Sequence, residues 1–482
     1  MSDKTTRREL LLNAAYGLGG ISLSMLLPGG GLLSSPVLSA AQGEDPLAPK
    51  APHFAAKAKS VIWLHQYGAP STLDLYDYKP DLIKLSGQEV PPSFMTGIKT
   101  STQGGVGKVF ATKRTWKQYG HSGAWFSDLL PNLAQQADDI AFIKASKTIG
   151  ATHDISVLKL NTGDLNPGRP SLGAWVQYAL GSANPDLPGY VVLYSGRREP
   201  EAGSVNWSSG FLPAVYQGIA FRPGNSPILN VDRQPLVSAS QQRDGLDLLR
   251  RLNQLSGERR PHDTELQARL NSYDLAYRME SSAPEAVDVS KESAATKALY
   301  GLNDEASQDY GTVLLRARRL VERNVRFIHV VTGHVDVDGD SQDWDAHQEL
   351  DKNHTANAKA VDKPIAGLLA DLKARGLLDT TLVVWTSEFG RTSYGQSGNG
   401  RDHNPWGYTQ WLAGGGVKAG FTYGQTDEIG LQSVGKAVDT YDLHATVLNQ
   451  LGLDHLKLTF QNNGRSERPT VVYGEVVKDL LA

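Results

Sequence analysis

The sequence predicts an α/β fold in which a mostly parallel sheet lies between helices, with an inserted helical arm. Two observations lead to this prediction. Short, continuous apolar runs, typical of strands buried on both faces, recur along the chain. Amphipathic stretches with helical spacing lie between these runs, and alternation of such strands with helices indicates a parallel sheet.

The first predicted strand ends in Gly68, Ala69 and Pro70, which signal a turn. The predicted strands are residues 60–65, 140–144, 190–194, 325–331 and 381–386. The predicted helices are residues 128–138, 172–180, 310–323, 356–375 and 440–451. Residues 236–300 are polar, rich in Arg, Glu and Gln, and have no strand pattern. We therefore predict that they form the inserted helical arm.

The N-terminal segment is typical of an export signal. Arg7 and Arg8 precede an apolar stretch that is interrupted by glycines and by Pro28, and residues 39–41 are small, as signal peptidase requires. Paired arginines before a weakly apolar core indicate the twin-arginine route, so we expect a periplasmic or secreted protein. A membrane anchor is the alternative, although Gly and Pro break the apolar run that a spanning helix needs. The predicted division is a signal at 1–41, a linker at 42–58 and one α/β domain at 59–482, with no membrane span after the signal.

Composition excludes several classes of function. The 482 residues include 48 Lys and Arg and 51 Asp and Glu, so the formal charge is −3. Such a charge provides no general electrostatic attraction for nucleic acid. The chain has no Cys, which excludes disulfides, zinc–thiolate sites, iron–sulfur clusters and thiol nucleophiles. Any metal must therefore bind to His, carboxylate or other oxygen ligands. The oligomeric state is left open by the sequence.

Chemically versatile side chains follow several of the predicted strands. In parallel sheets, functional residues gather beyond the carboxyl ends of the strands. Carboxylates and imidazoles there form a ligand set for one or two divalent ions of the zinc, manganese, iron or calcium kind. Each residue also has a structural alternative, such as a surface cap or a turn-stabilising ion pair. The candidates are Asp74 after the first strand, Thr148 and His153 after the second, Asp345 and His347 after the fourth, and Glu388, Arg391, Arg401 and His403 after the fifth.

The acidic loop Asp336-x-Asp338-x-Asp340 raises a calcium alternative. An EF-hand loop needs Gly at its sixth position and Glu at its twelfth, whereas here Gly339 is fourth and His347 is twelfth. A solvated acidic loop is the competing interpretation. His65, His334 and His354 are possible additional ligands that no spacing selects.

These residues occur within motifs that resemble one known family. The chain is similar to the exported bacterial proteins called domain of unknown function 1501, which are placed in the alkaline phosphatase and sulfatase superfamily. The resemblance runs from about residue 60 to the C-terminus and implies an alkaline-phosphatase-like fold. The matching segments are residues 68–74, 148–153, 170–173, 317–322, 344–347, 388–392, 400–403, 413–416 and 442–446.

The resemblance also implies roles for individual residues. It maps a two-metal core onto Asp345, His347, Glu388 and His403. It places Asp74 and the 148–153 loop where the first-strand ligand and the nucleophile lie. The sequence departs from the superfamily by having His65-Gln66-Tyr67 directly after the first strand, where an Asp is usual. The absence of Cys excludes a formylglycine made from Cys, which leaves the hydroxyls of Ser146 and Thr148, or water, to attack.

The expected function is a metal-dependent hydrolase of phosphate or sulfate esters. A metal-activated hydroxyl or water would attack, and Arg391 or Arg401 would hold the anionic group. The substrate would be a small or polysaccharide-linked anionic ester. The alternative is a non-catalytic periplasmic binding or assembly protein that keeps the fold with a degenerate metal site.

Overall fold

The computed structural model describes residues 45–98, 105–196, 203–224, 227–228, 238–258, 275, 277–279 and 282–482. The predicted signal at 1–41 lies outside the described residues. Within the part described, no helix combines the length and apolarity needed to cross a membrane.

Among the described residues, nine strands form one central sheet, and ten more form five two-stranded sheets. The strands are β1 Ser60–His65, β2 Trp116–Tyr119, β3 Ala124–Ser127, β4 Ile140–Lys147, β5 Tyr190–Tyr194, β6 Ile219–Phe221, β7 Phe327–Val331, β8 Val335–Val337, β9 Asp340–Gln342, β10 Thr381–Thr386, β11 Gly390–Gln396, β12 Gly400–Asn404, β13 Tyr408–Ala413, β14 Thr422–Tyr423, β15 Gln425–Thr426, β16 Ser433–Val434, β17 Val438–Asp439, β18 Phe460–Asn462 and β19 Arg465–Glu467. The sheet order is β14-β4-β13-β10-β1-β7-β5-β6, and β17 pairs with β4.

The sheet is parallel except for β13, which is antiparallel to both β10 and β4. Strands β1, β4, β5, β6, β7 and β10 therefore all point their carboxyl ends to one edge. The residues that follow these strands meet at that edge, which positions the candidate site.

Helices cover both faces of the sheet. The α-helices are α1 Pro80–Lys84, α2 His153–Thr162, α3 Leu172–Leu180, α4 Ala239–Glu258, α5 Ala294–Leu299, α6 Gln308–Glu322, α7 Leu350–Ala374 and α8 Thr440–Gln450, and residues 282–287 are also helical. Short 3₁₀ helices cover Thr72–Asp74, Pro92–Met95, Leu133–Asp139, Gly203–Trp207, Ala214–Tyr216, Leu378–Thr380 and Lys478–Leu480.

Alternation along β1 explains why its sequence is apolar from residue 61 to residue 64. Ile62 and Leu64 belong to the core that α6 and α7 share, whereas Val61 and Trp63 belong to the core that α3 and α8 share. Successive side chains of a strand point to opposite faces, so a strand covered on both faces has no polar position.

The predicted fold class is confirmed. Strands β1, β5 and β10 have the predicted bounds, and β4 and β7 differ from them only at their ends. Strands β12 and β13 were not predicted. The helix predicted at 128–138 is wrong, because the structure has only the 3₁₀ helix Leu133–Asp139, with non-helical backbone at Gln136.

Two other predicted segments are partly described. In the predicted arm 236–300, α4 and α5 are helical, and the arm as a unit stays a prediction. Within the predicted linker at 42–58, residues 50, 54 and 58 contact the rest of the domain. The backbone N–H groups of Lys50, Phe54 and Ala58 donate to the carbonyls of Leu180, Gly452 and Gln450 at 2.9, 3.1 and 2.8 Å.

Candidate metal centre

Several elements bring polar side chains together at the carboxyl edge of the sheet. His153 is the first residue of α2, which follows β4, and Glu388 lies two residues after the end of β10. Asp345 and His347 lie between β9 and α7. His403 lies in β12, which pairs with β11 before β13 returns through the sheet.

Three imidazoles converge on one carboxylate oxygen. Oδ1 of Asp345 lies 3.0 Å from Nε2 of His347 and 3.3 Å from Nε2 of both His153 and His403. The ligand atoms of His153, Asp345 and His403 all lie within 4.8 Å of one another. Donor atoms of a tetrahedral zinc site, each about 2.0–2.1 Å from the ion, are roughly 3.3 Å apart, and the distances from Asp345 to the three imidazoles match this value.

The opposite nitrogen of each imidazole faces an oxygen acceptor. Nδ1 of His153 lies 2.6 Å from Oε1 of Glu388, and Nδ1 of His403 lies 2.6 Å from the carbonyl of Ala151. Nδ1 of His347 lies 2.5 Å from Oε1 of Gln396. Each Nδ1–H therefore donates to an oxygen, which leaves the Nε2 lone pairs directed at Asp345. Such outer hydrogen bonds orient the histidine ligands of metal sites.

Lone pairs that face a carboxylate require a positive charge between them. Nε2 of His153 is buried and has no hydrogen-bond partner despite its closeness to Asp345. Without an ion, a proton supplies this charge on His153: burial disfavours the imidazolium, but the hydrogen bonds to Asp345 and Glu388 outweigh burial and raise the pKa of His153 to about 9. Burial lowers the pKa of His403 to about 4, with Asp345 opposing. The site thus favours a cation, and three nitrogens with one carboxylate fit a divalent ion of the zinc kind.

Glu388 lies behind His153 and does not face the cluster. Its Oε1 accepts from the Nδ1–H of His153 and, at 2.9 Å, from the N–H of Gly68, and its Oε2 lies 3.2 Å from Nε2 of His65. Burial would raise the pKa of Glu388, but the bonds from His153 and His65 hold it well below its usual range. The metal-ligand role of Glu388 stays a prediction; in this structure its oxygens contact His153, Gly68 and His65, so it orients a ligand.

Arg391 holds Asp345 in place. Its Nη2 donates to Oδ1 of Asp345 and to the carbonyl of Gly68, both at 2.5 Å, and its Nε donates to the carbonyl of Ala69 at 2.8 Å. The Arg391 side chain is fully buried. These contacts do not leave the guanidinium facing an incoming anion, as the sequence-based prediction expected.

Arg401 and Asp74 form a separate buried ion pair. Nε of Arg401 lies 2.9 Å from Oδ2 of Asp74, and Nη1 donates to the carbonyl of Thr392 at 2.9 Å. Asp74 also accepts from the hydroxyls of Ser71 and Thr112. The structure does not bring either predicted residue to the imidazole cluster, because each already has its partners.

Thr148 is likewise not part of the cluster. Its hydroxyl lies 3.4 Å from that of Thr440, on α8. From the predicted nucleophile loop at 148–153, His153 is the residue whose side chain reaches Asp345.

The loop after β1 packs tightly against the Asp345 segment. Gly68 has φ +96°, and a Cβ atom there would lie 2.6 Å from the backbone nitrogen of Trp344 and 2.7 Å from that of Asp345. Only glycine adopts this backbone conformation and permits this approach. Gly68 thus contacts both residues, since its N–H donates to Glu388 and its carbonyl accepts from Arg391.

Sequence reasoning missed the residues that orient the ligands. His65 was considered only as an additional ligand, although its position at the end of a buried strand could have suggested a role at this edge. Gln396 and the Ala151 carbonyl have no local sequence pattern that would predict this role.

The acidic loop Asp336-x-Asp338-x-Asp340 forms the β8–β9 hairpin. There Oδ1 of Asp336 accepts a hydrogen bond from the N–H of Gly339 at 3.1 Å.

The site opens to solvent on the side of Asp345 and His347. Their side chains are 30% and 23% exposed, against 14% for His153 and 1% for His403. The rings of Phe389 and His403 lie 4.5 Å apart, and Phe389 covers the inner side. A small molecule could therefore approach from one direction.

Solved structures with a similar chain course include three bacterial enzymes. The phosphonate monoester hydrolase SpPMH from Silicibacter pomeroyi is 13% identical over 73% of this chain and 71% of that chain, with a TM-score of 0.33. Alkaline phosphatase from the Antarctic bacterium TAB5 is 12% identical over 76% and 93%, with a TM-score of 0.31. The PsFucS1 sulfatase from Pseudoalteromonas sp. is 14% identical over 82% and 68%, with a TM-score of 0.33. At this level the similarities carry no argument about activity.

Among curated proteins, none matches the sequence significantly. A family model described as protein of unknown function (DUF1501) matches residues 58–481, which include every residue of the metal centre. The chain therefore belongs to the DUF1501 family.

Proposed function

We propose that the protein is a metal-dependent hydrolase of phosphate or sulfate esters, with a divalent ion held by His153, Asp345, His347 and His403. The observation that carries the proposal is the orientation of the three imidazoles. Each Nδ1–H is bound to an oxygen and each Nε2 faces Oδ1 of Asp345. A bound ion would supply Lewis-acid activation of water and of the ester oxygen.

Water is favoured over a side-chain hydroxyl as the attacking group. Among the described residues, no Ser or Thr hydroxyl hydrogen-bonds to any of the four ligand side chains. The Thr148 hydroxyl, which the sequence offered as a nucleophile, is bonded to Thr440 instead. The proposal therefore requires no covalent enzyme intermediate.

The surrounding residues keep the ligands in position. Arg391 fixes Asp345, and Glu388 fixes the ring of His153. Because both residues are buried, water does not compete for these bonds. The ester class rests on the family resemblance in the sequence, and the geometry supports the metal and the hydrolytic water.

One observation favours a second candidate, a protein that binds metal without turnover. Neither Arg391 nor Arg401 faces the opening, so the site lacks the anion clamp that the sequence suggested. A non-catalytic binding or assembly protein would retain the ligands and lose only turnover.

Metal analysis together with a substrate panel distinguishes the two candidates. The purified chain would be loaded with Zn²⁺, Mn²⁺ or Ca²⁺, and bound metal measured by mass spectrometry. Hydrolysis of p-nitrophenyl phosphate, bis(p-nitrophenyl) phosphate and p-nitrophenyl sulfate would then be followed. We expect stoichiometric metal and turnover of at least one ester in the wild type, with both lost in His153→Ala.

The exposed His121 provides a matched control, because His121→Ala removes an imidazole far from this chemistry. Stoichiometric metal without turnover would support the binding protein. If no metal is bound, or if His153→Ala retains it, the metal centre itself is disproved.

We further propose that the protein is exported by the twin-arginine route. The support is the order of Arg7, Arg8, the interrupted apolar stretch and the small residues at 39–41. Replacing both arginines with lysine should retain the full-length chain in the cytoplasm, as measured by cell fractionation. Unchanged export of that variant would contradict the proposal.

A further inference from the structure

A large groove lies beside the metal centre at the same edge of the sheet. Its volume is about 1400 Å³. Ligand pockets for single small molecules have volumes of about 300–1,000 Å³, so the groove has room for more than a phosphate or sulfate group. Among the described residues that line it are Tyr194, Ile219, Arg222, His334, Asp336 and Ser341.

Two sets of contacts connect the groove to the metal centre. Tyr67 packs in one apolar cluster with Tyr194, and the Tyr67 ring lies 5.9 Å from that of His153. On the polar side, Nε2 of His334 lies 3.6 Å from Oδ2 of Asp343. The N–H of Asp345 donates to the other oxygen of Asp343 at 2.7 Å. A molecule in the groove would thus lie one residue layer away from the ligand Asp345.

The lining combines apolar and polar side chains. Its apolar residues include Ile219, Ala220, Pro223, Pro227 and Ile228. His334, Asp336, Ser341 and Asp309 offer hydrogen-bonding groups, with Arg222 as the one cation among the described lining residues. Sugar rings present apolar C–H faces and hydroxyl edges, which match such a mixed lining.

The charges of the lining argue against a polyanion. Among the described lining residues, Asp309 and Asp336 are anionic and Arg222 is cationic, and this set does not favour a chain with a negative charge on each unit. The carboxylates accept hydrogen bonds from neutral hydroxyls without such a penalty.

We infer that the groove binds neutral sugar units of a carbohydrate whose single anionic ester lies at the metal centre. This inference rests on the proposed function and names the substrate class of the same site. The sugar units supply binding and orientation, and the metal centre supplies the chemistry.

The test measures sugar binding directly, so that it does not depend on turnover. Maltohexaose and cellohexaose would be titrated into the full chain by calorimetry. Ser341 is exposed on the β8–β9 hairpin, so Ser341→Trp should fill the groove without disturbing the core. Asp340 is the exposed neighbour on the same strand, points to the opposite face and is not part of the lining, so Asp340→Trp is the matched control.

We expect at least one hexasaccharide to bind the wild type and the Asp340→Trp variant, with affinity at least tenfold weaker in Ser341→Trp. His153→Ala, which removes a proposed metal ligand, should retain sugar binding. Sugar binding without ester hydrolysis would leave this inference standing and contradict the hydrolase. Absence of binding to both sugars, or equal binding by Ser341→Trp and wild type, would overturn the inference.

Discussion

Two carboxylates at the same edge of the sheet each pair with a buried arginine, yet their surroundings are opposite. Asp74 is surrounded by donors, namely the Arg401 guanidinium and the hydroxyls of Ser71 and Thr112. Asp345 receives Arg391, but its Oδ1 also faces three imidazole nitrogens that carry lone pairs. The first arrangement is complete by itself, whereas the second needs a further positive charge, which a proton or a bound ion supplies.

The contrast shows how a structural ion pair is distinguished from a metal site when both have the same residue types. Counting carboxylates and arginines does not separate them. The hydrogen bond on the far side of each imidazole separates the two kinds of site. An Nδ1–H that donates to an oxygen leaves Nε2 available as a ligand atom.

The largest expected effect is on metal binding. Asp345→Asn should weaken metal affinity by more than about 100-fold, since loss of an outer-shell partner alone costs about 10–100-fold. Asp74→Asn should leave metal affinity unchanged, because Asp74 is bonded to Arg401 and not to the imidazoles. Competition with a chromophoric chelator measures both. Equal losses in the two variants would contradict the distinction between the sites.

For stability, the order of the two variants should be reversed, with the larger loss of unfolding free energy in Asp74→Asn. Asp74→Asn leaves the buried guanidinium of Arg401 without its counter-charge, and breaking a buried pair in this way costs about 3–5 kcal/mol. Urea unfolding in the presence of EDTA measures the free energy without any contribution from metal. In the same assay Asp345→Asn should lower the free energy of unfolding by less. Loss of the carboxylate also relieves the repulsion between Oδ1 and the imidazole lone pairs that face it. A loss below about 1 kcal/mol for Asp74→Asn would show that its network does not stabilise the fold.

The sequence predicted which residues approach the edge better than it predicted what each one does. His153, Asp345, His347 and His403 were candidates because residues that follow parallel strands meet at one place. The structure brings these four together. It places Glu388 behind His153, because the N–H of Gly68 and the imidazole of His65 take the oxygens that a metal would need.

Roles that depend on partners far away in the sequence could not be predicted from local sequence patterns. Asp74 and Arg401 are 327 positions apart, and no spacing rule connects them. Arg391 was expected to face an anion, but three backbone and side-chain oxygens brought in by the β1 loop and the Asp345 segment engage it. The parallel sheet, by contrast, was predictable because the apolar runs and amphipathic helices record burial locally.

Glu388→Gln tests whether an outer hydrogen bond contributes to the difference between the two carboxylates. Gln keeps the shape but loses the charge that holds the Nδ1–H of His153, so metal affinity should fall about 10–100-fold. The exposed Glu428 offers Glu428→Gln as a matched control with no expected change. Chelator competition at one pH measures both variants. Unchanged affinity in Glu388→Gln would mean that packing alone orients His153.

The smallest effect is the pH dependence of the Asp74 pair. Burial would raise the pKa of Asp74, but Arg401 and the two hydroxyls outweigh burial and hold it below 3.8, the ordinary value. Since the folded-state pKa is depressed, the stabilisation is complete above pH 3.8 and is lost as pH falls through the folded value. The difference in unfolding free energy between wild type and Asp74→Asn, measured with urea in EDTA, should therefore stay constant from pH 7 to about pH 5. It should then shrink below about pH 4, as the unfolded chain takes up a proton that the folded carboxylate resists. A difference that grew on acidification would mean that Asp74 is protonated in the folded protein, and the pair would not be the complete, ion-independent counterpart of Asp345.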